Sequence, residues 1–303
     1  MSKASKGVYA AAITPIGADG EPDLDKLTQY CRGLLAAGCD GIAPLGTTGE
    51  AAALPFAFRQ RVPDALARAA LPADAVIMGV GSPSVGDAIA IGRASLAAGF
   101  CNLLVLPPYY TKDPSDEGLY AYYARLIEAV GDDRLRLYLY HIPQVTTVAI
   151  SHALVQRLRS QFGQLIAGIK DSSGSFESAK SYVGPADFDV YPSSEAVLTE
   201  GLAAGCAGVI SGSTNVCAAL ARRVLQAPQA EQGGLQAKLT DFRRTIQAFP
   251  LIAAIKQIQA WRSNDEGWLR MLPPLSPLSA EQAATLRREM IRLGQIDDVR
   301  DVA

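Results

Sequence analysis

Eight short apolar runs, each followed by an amphipathic stretch, alternate from residue 7 to about residue 227 of the 303-residue chain. The runs are "GVYAAAIT" (7–14), "GIAPLG" (41–46), "AVIMGVG" (75–81), "NLLVLPP" (102–108), "LRLYLYH" (135–141), "LIAGIKD" (165–171), "FDVYPSS" (188–194) and "GVISGST" (208–214). Runs this apolar suit strands buried on both faces, as in a parallel sheet covered by helices. Between them, "LDKLTQYCRGLLAAG", "VGDAIAIGRASLAAGF" and "DEGLYAYYARLIEAVG" have helical spacing and close on a glycine. An open doubly wound sheet shares the alternation but normally carries a nucleotide fingerprint after an early strand. "GVGSPSVG" has neither GxGxxG spacing nor the GK[ST] of a P-loop. The expected fold is therefore α/β, a (β/α)8 TIM barrel.

Past residue 228 the pattern becomes helix alone, at roughly 230–247, 251–262 and 279–294, with the proline-rich "MLPPLSPLS" before the last. This divides the chain into a barrel, 1–228, and a C-terminal helical region, 229–303, expected to pack on the barrel or on a neighbouring subunit. Hydrophobic residues make up 49% and charged ones 19%, enough for a large core and too little charge for disorder. A formal charge of −2 and the absence of a basic stripe argue against nucleic acid. No apolar run reaches the roughly 18 residues of a membrane span, and "MSKASKGVYA" lacks a signal's apolar centre. Cys31, Cys39, Cys101, Cys206 and Cys217 follow no CxxC spacing and read as reduced, buried thiols, so a cytoplasmic protein is expected.

A parallel barrel carries its chemistry at the C-terminal mouth, so the last residues of each strand are the place to look. Strand two ends in "GTTGE", strand four in "PPYY", strand five in "YHIPQVTT", strand six in Lys170, strand seven in "PSSE" and strand eight in "ISGST". Together they offer one amine, tyrosine hydroxyls and many small hydroxyls. The only histidines, His141 and His152, lack partners at metal-ligand spacing, and no metal or organic cofactor is expected.

A lysine at the end of a greasy strand has a specific use. Burial disfavours the ammonium and leaves a free amine able to attack a carbonyl, and the resulting imine draws electrons from the adjacent carbon. Lys170 could instead reach solvent or pair with Asp171. Tyr140, on the neighbouring strand, can carry a proton, and it also reads as an aromatic of the core. Thr47 and Thr48 occupy a glycine-flanked turn whose N–H and hydroxyl groups can hold a carboxylate. Their joint occurrence at strand ends points to Schiff-base chemistry.

In this set the sequence resembles the dihydrodipicolinate synthase/N-acetylneuraminate lyase family of class I, Schiff-base aldolases. The resemblance runs from "AAITPIGADGEPD" through "GTTGE", "PPYY", "YHIP" and "GIKD" to "GVISGSTN" and the helical tail. It implies that Lys170 forms an imine with pyruvate or another 2-oxo acid, that Tyr140 shuttles protons and that Thr47 and Thr48 bind the keto-acid carboxylate. It further implies that Ile210 borders the pyruvate, that Tyr110 crosses a subunit interface into the neighbour's site, and that the assembly is a homotetramer, a dimer of dimers.

Departures narrow the substrate. The synthase branch places an arginine two residues after the proline of its Y-x-x-P motif, where this chain has Val145, and an apolar side chain cannot grip a carboxylate. The sialic-acid lyase branch has an aspartate and a glycine where this chain has Ser194 and Pro192. The far pocket reads as a hydroxyl wall of Ser172, Ser173, Ser193, Ser194, Ser211, Ser213, Thr146 and Thr147, suited to a hydroxylated chain, although the same residues serve turns and caps. Glu195 either binds a substrate hydroxyl or opens the next helix. The expected activity is cleavage of a 2-keto-3-deoxy acid, a sugar acid, to pyruvate and an aldehyde. A dehydratase acting on a similar imine, a dihydrodipicolinate synthase and a non-catalytic keto-acid binder are the alternatives.

Overall fold

The computed structural model describes residues 3–296. Among them are eight strands: β1 Gly7–Ala10, β2 Gly41–Ile42, β3 Met78–Gly79, β4 Asn102–Val105, β5 Arg136–His141, β6 Ile166–Asp171, β7 Asp189–Pro192 and β8 Gly208–Ser211. All are paired parallel, in the ladders β2-β1-β8 and β3-β4-β5-β6-β7. A parallel bridge from Ile42 to Val76 joins β2 to the start of β3, and Ala207 N donates to Val190 O at 2.9 Å between β7 and β8. The circuit is closed, as the alternation predicts. The strands are shorter than the apolar runs. Pro44, Pro107 and Pro143 follow β2, β4 and β5 and offer no ladder N–H, so the chain leaves the sheet and bends over the mouth.

The helices are α1 Leu24–Ala36, α2 Phe56–Arg68, α3 Val85–Ala97, α4 Asp116–Val130, α5 Pro143–Thr146, α6 His152–Phe162, α7 Phe176–Ser181, α8 Leu198–Ala203, α9 Thr214–Gln226, α10 Gln229–Gln247, α11 Leu251–Ser263 and α12 Ala280–Arg292. Their starts are written in the sequence: Asp23, Ser84, Ser115, Ser151 and Ser175 each accept an N–H of the first turn, and Ser279 forms a capping box with Gln282. The recurring "AAG" supplies the stops, with Gly38, Gly99 and Gly205 at φ 108°, 93° and 95°. No helix among the described residues is long and apolar enough to cross a membrane.

Two packed layers follow from strand alternation. Val8, Leu103, Leu137 and Ile169 face the helices, while Tyr9, Tyr138, Tyr191 and Ile210 fill the barrel. Leu239, Phe242, Ile255 and Leu286 of α10–α12 join the outer cluster, so the C-terminal helices share one core with the barrel.

One irregularity decides the site. On β5, Leu137 faces out and Tyr138 and Tyr140 face in. On β6, Ile166 also faces out, so strict alternation would send residue 170 outward. The ladder instead pairs Leu137 with Ile166 and Tyr138 with Gly168, a one-residue bulge that reverses the parity. Tyr140 then pairs with Lys170, and both point inward. Only glycine fits at the bulge, because a Cβ on Gly168 would lie 2.2 Å from Asp189 O and 2.9 Å from the Tyr138 ring.

Candidate active site

A cleft of about 730 Å³ opens at the C-terminal mouth. Its floor comes from the ends of β2, β5, β6 and β8, and includes Thr47, Thr48, Tyr140, Lys170, Ser172 and Ile210. Lys170 is only 3% exposed, with Nζ 4.1 Å from the centre of the Tyr140 ring. It does not pair with Asp171, whose Oδ1 accepts from Ser173 N and Oγ at 2.8 and 2.6 Å and whose Oδ2 accepts from Ser178 Oγ at 2.6 Å. The snorkelling and ion-pair alternatives for Lys170 are therefore not the ones adopted.

Tyr140 OH lies 3.4 Å from Thr47 Oγ1. Burial alone would push its pKa up, but the Lys170 charge beside it and the nearby Thr47, Lys170 and Ser172 donors outweigh burial and hold the phenol below the ordinary tyrosine value. Ser172 Oγ, buried beside it, makes no hydrogen bond of good geometry. Such an arrangement can pass a proton between a bound oxygen and the phenol.

The "GTTGE" turn is framed by two non-glycine residues in the left-handed region, Leu45 at φ 58° and Glu50 at φ 59°. Each costs about 1–2 kcal/mol. Leu45 is buried, and Glu50 forms a buried ion pair with Lys256 of α11. Glu50 Oε2 also accepts from Leu272 N at 2.8 Å, and Lys256 Nζ donates to Arg270 O at 2.8 Å. The turn, α11 and the chain after it are thus tied together. Within the turn, the N–H groups of Thr47 and Thr48 make no hydrogen bond inside the described chain. Successive N–H groups left free in a turn can receive an anion.

Several expected contacts lie elsewhere. Ser194, Glu195 and Ser211 do not line the cleft. Glu195 is wholly buried and accepts from Ser211 Oγ and Ser213 Oγ at 2.6 Å each, while Ser194 Oγ accepts from Ala196 N at 3.3 Å. Thr146 and Ser173 likewise satisfy neighbouring backbone or carboxylate groups. Of the hydroxyl wall, Ser172 and Ser193 reach the cleft. Tyr110 is 83% exposed and does not line the cleft of its own chain. Among the described residues no group of His, Cys, Asp or Glu is arranged to hold a metal ion.

The sequence reading missed the cleft's outer wall. Arg243 and Gln247 of α10, Leu251 of α11, and Met271, Leu275 and Pro277 of the proline-rich segment all line it. Nothing in a helical pattern marks which turn faces a distant strand end; the long proline-rich break was the one available hint.

Comparison with known proteins bears on this geometry. A profile described as the dihydrodipicolinate synthetase family matches residues 4–292. A Chloroflexus aurantiacus protein described as an uncharacterized DapA-like lyase is 35% identical, over 95% of this chain and 97% of its own. The 4-hydroxy-tetrahydrodipicolinate synthase of Chlorobium limicola is 30% identical over 96% and 98%. Among solved structures, YagE, a prophage protein of E. coli K12 belonging to the dihydrodipicolinic acid synthase family and crystallised with pyruvate, superposes with a TM-score of 0.86. It is 25% identical and covers 96% of this chain and 99% of its own.

Proposed function

The chain belongs to the dihydrodipicolinate synthetase family of Schiff-base, class I aldolase-type carbon–carbon lyases, and we propose that it cleaves a 2-keto-3-deoxy sugar acid to pyruvate and an aldehyde. The observation that carries this reading is a buried amine with no carboxylate partner, set beside a phenol in the same cleft as Thr47 and Thr48, whose N–H groups make no hydrogen bond inside the described chain.

The keto-acid carboxylate docks on the Thr47 and Thr48 N–H groups and hydroxyls, which aims the C2 ketone at Lys170 Nζ. Lys170 Nζ passes a proton to the Tyr140 oxygen and adds to C2, that proton leaves with the departing water, and a protonated imine forms. Tyr140 removes the C4 hydroxyl proton; the C3–C4 pair flows into the iminium, leaving an enamine, and the aldehyde departs. Protonation at C3 and hydrolysis release pyruvate and restore the amine. The imine is the electron sink, so the reaction needs no metal or organic cofactor. Ile210 borders the pyruvate methyl, and Gln144, Ser172 and Ser193 offer neutral hydrogen bonds to a hydroxylated chain.

Val145 weighs against the synthase reaction, because it is apolar and 57% exposed at the position where the resemblance calls for a carboxylate-binding arginine. The working assembly is a cytoplasmic homotetramer in which Tyr110 enters the neighbour's site, which accounts for its exposure in one chain. Sedimentation at the 32.0 kDa of a single chain would contradict it. The deciding experiment is a lactate-dehydrogenase-coupled screen for pyruvate over 2-keto-3-deoxy acids. Release of pyruvate with an aldehyde supports the lyase; a product retaining the whole carbon chain would make the enzyme a dehydratase.

A further inference from the structure

Two side chains bring formal charge to the cleft, Lys170 and Arg243, and both are cations; no aspartate or glutamate lines it among the described residues. Arg243 reaches it from α10 with its side chain 12% exposed. Nη1 donates to Ser211 Oγ at 3.1 Å and Ser213 Oγ at 2.7 Å, and Nε donates to Gln247 Oε1 at 3.2 Å. Both serines donate their own hydroxyl hydrogen bonds to Glu195, whose Oε2 is 3.8 Å from Nη1. Glu195 sits behind the serines and off the cleft surface, so it orients and balances the guanidinium from the rear. Nη2 is left without a hydrogen bond inside the described chain, and so is Nε2 of Gln247, which also lines the cleft.

A guanidinium anchored from behind, mostly buried and with its Nη2 free of hydrogen bonds inside the described chain suits an oxyanion, which it binds more strongly than it would a hydroxyl. The loop after β5 brings no second cation, since Val145 stands there. Most hydroxyls expected to face a polyol are already bonded within the protein. The proposed site for the keto acid's own carboxylate is at Thr47 and Thr48, so an anion at Arg243 is a second one.

We infer that the substrate carries a second acidic group, a carboxylate or phosphate ester, at the end away from the ketone, and that Arg243 binds it. This rests on the imine reading of Lys170 and deepens it: the aldehyde released is itself an acid.

The test uses probes that need form only an imine. Pyruvate, 2-oxohexanoate, 2-oxoadipate and a phosphonate-ended analogue are each trapped on the full-length protein with borohydride, and the half-saturating concentration is read by intact mass. The second and third have equal chain length and differ in the far carboxylate. The wild type is expected to capture 2-oxoadipate at a concentration roughly 10–100-fold lower than 2-oxohexanoate, the range for hydrogen bonds to a charged group. The ratio should fall to within about threefold in Arg243→Gln, which keeps a donor for the serines, and lie between in Arg243→Lys, which keeps the charge but not the fork. Preference for the phosphonate over the carboxylate identifies a phosphate ester; the reverse identifies a diacid. Equal capture of the two matched probes by the wild type, or an unchanged ratio in Arg243→Gln, overturns the inference while pyruvate capture leaves the lyase reading standing. Failure to trap pyruvate at all removes both.

Discussion

Tyr140 is held by three neighbours that outweigh its burial, and the proposed C4 proton transfer depends on that phenol. Tyr140→Phe keeps the ring against Lys170 and deletes only the hydroxyl. Turnover should fall by roughly 10²–10⁴, the usual range for general acid–base catalysis, and a steady-state kcat equal to the wild type's would remove the residue from the mechanism. Lys170, Tyr140, Thr47 and Thr48 could be read from the sequence because strand ends of a parallel barrel share one mouth. Ser194, Ser211 and Glu195 could not be placed that way. Whether a hydroxyl faces a ligand or a buried carboxylate depends on what packs behind it, and here Ser211 and Ser213 close on Glu195. Arg243 was invisible for the complementary reason, since the serines that hold it, Ser211 and Ser213, lie 30 or more residues away on β8 and the turn after it.

The bulge in β6 shows how an element can hide the feature that matters. The apolar run before Lys170 announces a strand, but no hydrophobic pattern reveals that Ile166 and Lys170 need opposite faces. Gly168 is the residue that permits it. Gly168→Ala would drive a methyl into Asp189 O and the Tyr138 ring, and backbone cannot yield as a flexible side chain can. A loss of about 3 kcal/mol in urea unfolding is expected, the upper end for overpacking; an unchanged midpoint would mean that the bulge does not depend on the glycine. Element boundaries were legible in the helices, where caps are local: 230–247, 251–262 and 279–294 became Gln229–Gln247, Leu251–Ser263 and Ala280–Arg292. The strand ends were overextended because residues past the ladders, such as Ala12, Ile13, Ala43, Leu45 and Val80, are apolar and buried like the strands themselves. What pins α11 there is the Glu50–Lys256 pair. Lys256→Met strands a buried carboxylate and should cost about 3–5 kcal/mol, with part recovered by adding Glu50→Gln. A cost below about 1 kcal/mol would contradict a role in tying α11 to the barrel.

Across the chain as one cooperative body, acid should be a weak point. His141 is buried at the end of β5, with Nδ1 accepting from Ile150 N at 3.1 Å. Burial lowers its pKa below 6.5, with His152 acting in the same direction and Asp171 opposing. The unfolded chain therefore takes up a proton that the folded one refuses. His141 contributes fully above about pH 6.5, and its contribution is lost as the pH falls through the lowered value. Urea unfolding should show wild type losing more stability between about pH 7.5 and about pH 5.5 than His141→Asn, whose amide oxygen mimics Nδ1; equal losses would exclude the imidazole as a source. The closed circuit of strands, the shared outer core and the strap of residues 271–277 all converge on the cleft around one amine. Its chemistry can be read directly by incubating the protein with pyruvate and borohydride, digesting it and mapping the modified peptide. A reduced pyruvate adduct on Lys170, absent from Lys170→Ala, is the expected result; an intact mass unaltered by the treatment would contradict the imine.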